Sequence, residues 1–297
     1  MRTRPWLLAP TVVFLAACLG ADSRPEPGSL LVTASSDAAL QNGFTTEDGW
    51  TIRYDRFVVS LGHASPEGES CTFYSDTAYN RVLDMRIPRP QKLSIIYALG
   101  HCKLDYEVSS PVPETVLGEN ITAVDRDFMR TPASDDIARD AGVSIFVDGI
   151  ARKGQVEKRF QWSFRNRVEY AGCSATIDGK LVEGADFRSS EAISRAIVVH
   201  GATLFQDRLE GSEAALAFEP FALADERGDR DGQVTLSELD KMPLMSPSKS
   251  SPYADGEASW TTLEEYVYLG LFKKVVRYQG NGSCEESSVF ANERAAH

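Results

Sequence analysis

Apolar and polar residues alternate along several short stretches in the first two thirds of the chain. The alternation is strict from Trp50 onward, and Phe160, Trp162 and Phe164 alternate with polar neighbours. Successive side chains of a β-strand point to opposite faces of a sheet, so this pattern predicts strands. The strand that starts at Trp50 is expected to end before Gly62. Further strands are predicted at residues 93–99, 104–108, 143–147, 159–165 and 193–205.

The turns between these stretches favour an antiparallel arrangement. Asp178 and Gly179 lie between apolar positions, and this pair predicts a tight hairpin because its turn requires positive φ. Short strands separated by Gly, Pro and Asp residues, with no long helical periodicity before residue 206, are typical of a β-sandwich or barrel. We therefore predict a β-rich domain at residues 41–206.

The pattern changes after Gln206 and becomes mostly helical. Apolar residues recur at helical spacing from Thr261 to Val276, and a threonine followed by glutamate at the start of this stretch fits a capping box. Shorter helices are predicted at residues 212–218 and 235–241, and a loop is predicted at residues 245–257. The predicted fold class is therefore α+β, with a helical segment at residues 207–297.

Composition and charge exclude some classes of partner. The chain is 42% hydrophobic and 25% charged, which is ordinary for a globular protein. It has 31 basic and 43 acidic residues, a net charge of −12. Affinity for nucleic acid comes mainly from neutralised phosphates, so nucleic acid is not an expected partner. The same charge argues against a large contact surface for anionic lipids.

The N-terminus has the layout of a secretory signal. A short cationic stretch with Arg2 and Arg4 is followed by uncharged residues up to Cys18. This apolar run is too short to cross a bilayer as a helix, which takes ~20 residues. The residues Leu15-Ala16-Ala17-Cys18 resemble the lipobox of bacterial lipoproteins.

That resemblance implies removal of residues 1–17 and attachment of lipid, such as palmitate, to Cys18. Leu19 stands where an aspartate would mark inner-membrane retention, so the resemblance favours the outer membrane. Residues 18–40 are expected to form a flexible tether. The alternative is an ordinary signal that is cleaved near Ala17 and leaves Cys18 as a free thiol.

Four cysteines remain besides Cys18, and an even number in an exported chain suggests disulfides. Three pairings are open to them. The pairing that is local in sequence joins Cys71 to Cys102 and Cys173 to Cys284. No Cys-x-x-Cys is present, which argues against a metal site built from these thiols.

An acidic stretch after residue 224 carries the one motif with a defined chemistry. Its matching positions are Asp229, Asp231, Gly232, Val234, Thr235 and Glu238. Their spacing resembles the calcium loop of an EF-hand, in which alternate carboxylates and one backbone carbonyl surround a cation that takes six to eight oxygens. The resemblance implies a ligand set of Asp225, Asp229, Asp231, Gln233 and Glu238, with Gln233 contributing its carbonyl.

The match departs from the usual loop at its first position. Counting back from Gly232, the first ligand of a twelve-residue loop falls on Arg227, which cannot bind a cation. Asp225 can serve instead if the loop is longer. Residues 225–238 hold five acidic residues and two arginines, and the sum 5 − 2 leaves three negative charges that favour a divalent cation. A single loop outside the cytoplasm predicts a structural role for calcium. The alternative is a solvated acidic turn between two helices.

Other sites have weaker support in the sequence. His63, His101 and His200 are far apart, and a copper or zinc site at His101 or His200 would require the fold to bring ligands together. No motif supports a catalytic assignment, so an enzyme is not predicted. A further alternative is a β-sandwich module that presents a groove to a protein, glycan or metallophore, with Trp50, Trp162 or nearby tyrosines at its rim.

Overall fold

The computed structural model describes residues 25–74, 79–131, 142–209, 214–244, 253 and 259–288. Strands make up 48% of the structure and helices 19%, so the prediction of a strand-rich fold is confirmed. The signal segment, Cys18 and all but one residue of the loop predicted at 245–257 lie outside the described residues. Among the helices that are described, none is both long enough and apolar enough to cross a membrane.

The strands are β1 (Gly28–Ser36), β2 (Phe44–Thr45), β3 (Thr51–Glu67), β4 (Thr72–Phe73), β5 (Asn80–Asp84), β6 (Gln91–Val108), β7 (Val116–Leu117), β8 (Ile145–Lys153), β9 (Val156–Phe164), β10 (Val168–Ile177), β11 (Lys180–Glu183), β12 (Ala185–Phe187), β13 (Ala192–Val199), β14 (Gln233–Val234), β15 (Val276–Tyr278) and β16 (Ser283–Ser288). The helices are α1 (Ala38–Asn42), α2 (Ala123–Arg130), α3 (Glu219–Arg227), α4 (Leu236–Leu239), α5 (Leu263–Glu265) and α6 (Phe272–Lys274). A 3₁₀ turn spans Gly201–Phe205, and a π-helical run at Tyr266–Leu271 joins α5 to α6.

One curled sheet, shaped like half a barrel, organises the fold. Its main path runs β14-β9-β8-β3-β6-β1-β13-β15, and β10 joins it by pairing with β6. The long strands β3 and β6 pair with each other and with neighbours on both sides. Because each is bent by an irregularity, the sheet can curl around the core instead of staying flat.

Two strand boundaries differ from the prediction. The strand that starts near Trp50 does not end before Gly62, because β3 continues past a shift in register between Gly62 and Ser65. His63, within that shift, has φ of 49°. The strands predicted at residues 93–99 and 104–108 are likewise parts of the single strand β6.

Antiparallel pairing dominates the sheet but is not universal. β1 pairs with β13, β5 with β7 and β9 with β14 in parallel. The predicted antiparallel sandwich or barrel is therefore correct at the coarser level of a strand-rich fold, whose sheet curls into half a barrel. The hairpin at Asp178 and Gly179 is confirmed, with φ of 51° and 75° joining β10 to β11.

The main hydrophobic core is rich in aromatic rings, and a second, smaller cluster contains Val58 and Phe146. Phe160, Trp162 and Phe164 of β9 are fully buried, as their alternation predicts. The ring of Trp162 packs on Phe205 and Phe221, with centroid distances of 5.7 Å in both cases. The core therefore joins β9 to the 3₁₀ turn and to α3, which come later in the chain.

Both cysteine pairs expected from sequence proximity are present at bonding distance. The Cα atoms of Cys71 and Cys102 are 4.9 Å apart, and those of Cys173 and Cys284 are 4.2 Å apart. The second pair joins β10 to β16, so it ties the C-terminal strand to the sheet.

Two predictions about where strands begin and end are wrong. The tether expected at residues 18–40 contains β1 and most of α1, and β1 is a central strand with Leu30, Val32 and Ala34 buried. The strand expected at residues 193–205 ends at Val199, and its second part is the 3₁₀ turn. An uninterrupted apolar run does not distinguish these two conformations.

The helix expected at residues 212–218 is also absent from its described part, residues 214–218. Leu216 forms an isolated bridge with Gln206 instead. The helix α3 begins at Glu219, since Pro220 has no N–H and fits the first turn of a helix but not its middle. The predicted helical segment after residue 206 is not confirmed as a unit, because it also supplies β14, β15 and β16 to the sheet.

Candidate metal site

The end of α3 places the first predicted ligand of the loop. Phe221, Ala222 and Ala224 of this helix are buried against the core. Asp225 follows Phe221 by four residues and therefore lies on the same face of the helix. Its side chain is fully buried, so the carboxylate needs partners within the protein.

The partners of Asp225 hold both ends of the loop together. Its Oδ1 accepts a hydrogen bond from the Gly232 N–H at 3.1 Å, and its Oδ2 accepts from the Lys158 ammonium. Its backbone carbonyl accepts from the N–H groups of Gly228 and Arg230 at 3.0 and 3.1 Å. Asp225 is therefore the residue around which the loop closes.

Asp229 and Asp231 are exposed and are oriented by the loop backbone. Oδ1 of Asp229 accepts from the Asp231 N–H at 3.2 Å, and Oδ1 of Asp231 accepts from the Gln233 N–H at 2.7 Å. Gly232 has φ of 85°, a left-handed conformation that favours glycine. These local bonds turn the two carboxylates toward the same side of the loop as Asp225.

The three aspartates come together in space. One side-chain oxygen from each of Asp225, Asp229 and Asp231 lies within 4.8 Å of the other two. The arginine that occupies the usual first ligand position is directed elsewhere, since Nη1 of Arg227 lies 3.9 Å from the Met242 sulfur. Asp225, two residues earlier in the chain, lies beside Asp229 and Asp231 instead.

The structure does not bring Glu238 into this group of three oxygens. Thr235 and Glu238 form a capping box at the start of α4, in which Oε2 of Glu238 accepts from the Thr235 N–H at 2.9 Å. Oε1 of Glu238 is turned toward the loop and lies 3.4 Å from the backbone N of Asp229. Gly228 permits this approach, because a Cβ there would lie 2.1 Å from that oxygen. Glu238 therefore combines a capping role with one oxygen that faces the loop.

The loop is attached to the edge of the main sheet. Gln233 and Val234, which form β14, pair in parallel with Arg159 and Phe160 of β9. The Trp162 indole N–H donates to the Val234 carbonyl at 2.9 Å, and Val234 is fully buried. In this protein the segment that follows the loop glycine pairs with a strand of the β-sheet.

Sequence reasoning missed Lys158 as a member of the site. A signal was present, because Lys158 belongs to the same alternate row of β9 as the buried residues Phe160, Trp162 and Phe164. A lysine in a buried row requires a carboxylate opposite it. Only the fold shows that this carboxylate is Asp225.

His101 and His200 each lie beside a different aspartate. His101 Nδ1 lies 2.8 Å from Asp186, and His200 Nδ1 lies 3.2 Å from Asp37. Within the described part of the chain, the group of three potential metal ligands that forms is the aspartate cluster, and it includes no histidine. A copper or zinc centre based on His101 or His200 is therefore not proposed.

The two tryptophans that would line a binding groove are not exposed. Trp50 is 3% exposed and Trp162 is fully buried, so both belong to the core. A separate recess of about 300 Å³ lies between α2 and the sheet, lined by Val124, Phe128 and Phe146 among others. Nothing in the structure indicates what would occupy it.

Comparisons with protein-family models, curated proteins and solved structures found no match for this chain.

Proposed function

We propose that this chain is an exported lipoprotein of the cell envelope that binds one calcium ion through residues 225–238. The ligands would come from Asp225, Asp229, Asp231, the Gln233 carbonyl and Glu238. In this proposal the ion has a structural role. It fixes the loop between α3 and α4 against the edge of the sheet.

The convergence of Asp225, Asp229 and Asp231 within 4.8 Å is the observation that carries the proposal. Three carboxylates at this separation repel one another, and a divalent cation between them would turn that repulsion into attraction. Oxygen ligands suit a hard cation, and the spacing around Gly232 favours calcium over other ions of this kind. Glu238 lies outside the group of three oxygens, and to join the ligand set its Oε1 would exchange the contact with the Asp229 N–H for the ion.

The attachment of β14 to β9 supports a structural role. EF-hand sensors usually occur as paired loops, whereas this loop pairs with a strand of the β-sheet. A loop held in this way has little freedom to open. Extracellular calcium modules bind with a Kd of ~10⁻⁴–10⁻³ M, an affinity that suffices outside the cytoplasm.

The thermal midpoint of the purified mature chain tests this proposal. For a Kd of ~10⁻⁴ M, 2 mM calcium would stabilise the fold by about 2 kcal/mol, which raises the midpoint by roughly 4 °C in a protein of this size. The variant Asp231→Ala/Glu238→Ala is expected to lose this increase. A wild-type midpoint that is the same in 2 mM calcium and in EDTA would contradict the proposal.

Attachment of lipid is tested separately. Metabolic labelling with a palmitate analogue is expected to mark the wild-type chain and not Cys18→Ala. Labelling of both forms, or of neither, would show that Cys18 is not the lipid-bearing residue.

A further inference from the structure

Lys158 supplies a positive charge inside the candidate site. Its ammonium group donates to Oδ2 of Asp225, and the two side chains are 11% and 0% exposed. Lys158 belongs to the row of β9 that faces the core, where charged residues are rarely found without a partner. The position of this lysine is therefore explained by Asp225.

The two arginines of the loop itself contact groups other than the three aspartates. The Arg227 guanidinium contacts the sulfur of Met242, and Nε of Arg230 donates to the backbone carbonyl of Glu226 at 2.8 Å. Among the residues that the structure describes, Lys158 is thus the positive side chain found in direct contact with the aspartate cluster. Both carboxylate oxygens of Asp225 have donors, because Gly232 N–H occupies Oδ1.

A calcium ion at the cluster would have to share or replace the Lys158 contact. If both cations bound to Asp225, charges of +1 and +2 would lie within a few ångströms of each other in a partly buried site. At a separation of ~5 Å, even with nearly the dielectric response of water, this repulsion lowers calcium affinity by roughly tenfold. A shift of the ammonium group away from Oδ2 would also lose a buried ion pair.

We propose that Lys158 is the resident counter-ion of Asp225 and that it competes with calcium for this carboxylate. This inference rests on the proposed function. The lysine lets the loop fold without metal, since it neutralises a carboxylate that would otherwise be buried and unpaired. The same charge weakens calcium binding and sets the affinity of the site.

Calcium titration calorimetry on the mature chain tests the competition. Lys158→Met is expected to bind calcium about tenfold more tightly than the wild type, because the competing charge is absent. Lys180→Met is the matched control. It removes the same charge from an exposed position at the β10–β11 hairpin and is expected to bind calcium like the wild type.

Urea unfolding in EDTA gives a second measurement on the same variants. Lys158→Met is expected to unfold at lower urea than Lys180→Met, because Asp225 has lost its partner, and calcium is expected to remove most of this difference. Where Lys158→Met fails to fold without calcium, Lys158→Gln replaces it. Glutamine keeps a donor for Asp225 without the charge, and the same gain in calcium affinity is expected.

The outcomes separate the two proposals. Calcium binding by the wild type with no gain in Lys158→Met or Lys158→Gln overturns the competition and leaves the calcium site intact. Absence of calcium binding in every variant overturns the proposed function and the competition together.

Discussion

Trp162 links the hydrophobic core to the candidate calcium loop, and its replacement by phenylalanine tests that link. The indole is fully buried, and its Nε1–H donates to the Val234 carbonyl. Phenylalanine lacks this donor and two of the indole carbons. Loss of a hydrogen bond to a buried acceptor costs ~1–3 kcal/mol, and two buried carbons contribute about 0.8 kcal/mol each. We expect Trp162→Phe to lower the free energy of unfolding by about 3 kcal/mol.

Trp50→Phe is the matched control for this prediction. It removes the same atoms from an indole that is also buried, but the acceptor of its N–H is the Glu219 carboxylate, whose side chain is 46% exposed. That carboxylate regains water when the donor is lost, so the expected cost is about 2 kcal/mol. Urea unfolding followed by far-ultraviolet circular dichroism measures both variants without depending on tryptophan emission. A cost for Trp162→Phe no larger than that for Trp50→Phe would refute the reasoning.

Two further predictions concern other parts of the fold. Burial, with repulsion from Glu67, raises the pKa of Asp105 from 3.8 to about 6 although the Gly172 N–H donates to it. The folded state thus favours the protonated carboxyl of Asp105. Protonated Asp105 therefore contributes to the free energy of unfolding in full below pH 3.8, and this contribution is lost as the pH rises through about 6. Asp105→Asn is therefore expected to raise the free energy of unfolding by about 1 kcal/mol at pH 8, a value that allows for solvent screening. Little gain is expected at pH 4. Urea titrations that give equal gains at both pH values would contradict this prediction. Thr262→Ala removes the capping box with Glu265 and is expected to cost about 1 kcal/mol, and an unchanged urea midpoint would contradict the capping role.

Local patterns in the sequence predicted several elements correctly because local physics determines them. The row Phe160, Trp162 and Phe164 follows the two-residue repeat of a strand and is buried as expected. The Asp178-Gly179 turn forms because both residues adopt positive φ. The capping box at Thr262 likewise depends only on residues three positions apart.

Features that depend on distant contacts could not be predicted in this way. A flexible tether is predicted at residues 18–40, yet β1 lies within this range and is stabilised by pairing with β6 and β13. The change from strand to 3₁₀ turn at Gly201 is fixed by close packing against Leu40 and Tyr54, which lie far away in the sequence. The parallel pairing of β9 with β14 has no local signal.

The candidate site also combines features that local sequence patterns predict with features that depend on distant contacts. The positions of Asp225, Asp229 and Asp231 could be predicted as ligands from spacing, and the structure brings these three together. Glu238 matches the last ligand position of the calcium loop in sequence, but in the structure one of its oxygens accepts the capping hydrogen bond from the Thr235 N–H. The role of Lys158 could not be assigned, because its partner is 67 residues away.

Equilibrium dialysis of the purified mature chain against radioactive calcium tests the central claim most directly. We expect one ion per chain at millimolar calcium, and loss of this binding in Asp229→Asn/Asp231→Asn, which removes two charges and keeps the acceptors that orient the loop. Retention of the ion by that variant, or no bound calcium in the wild type, would contradict the account.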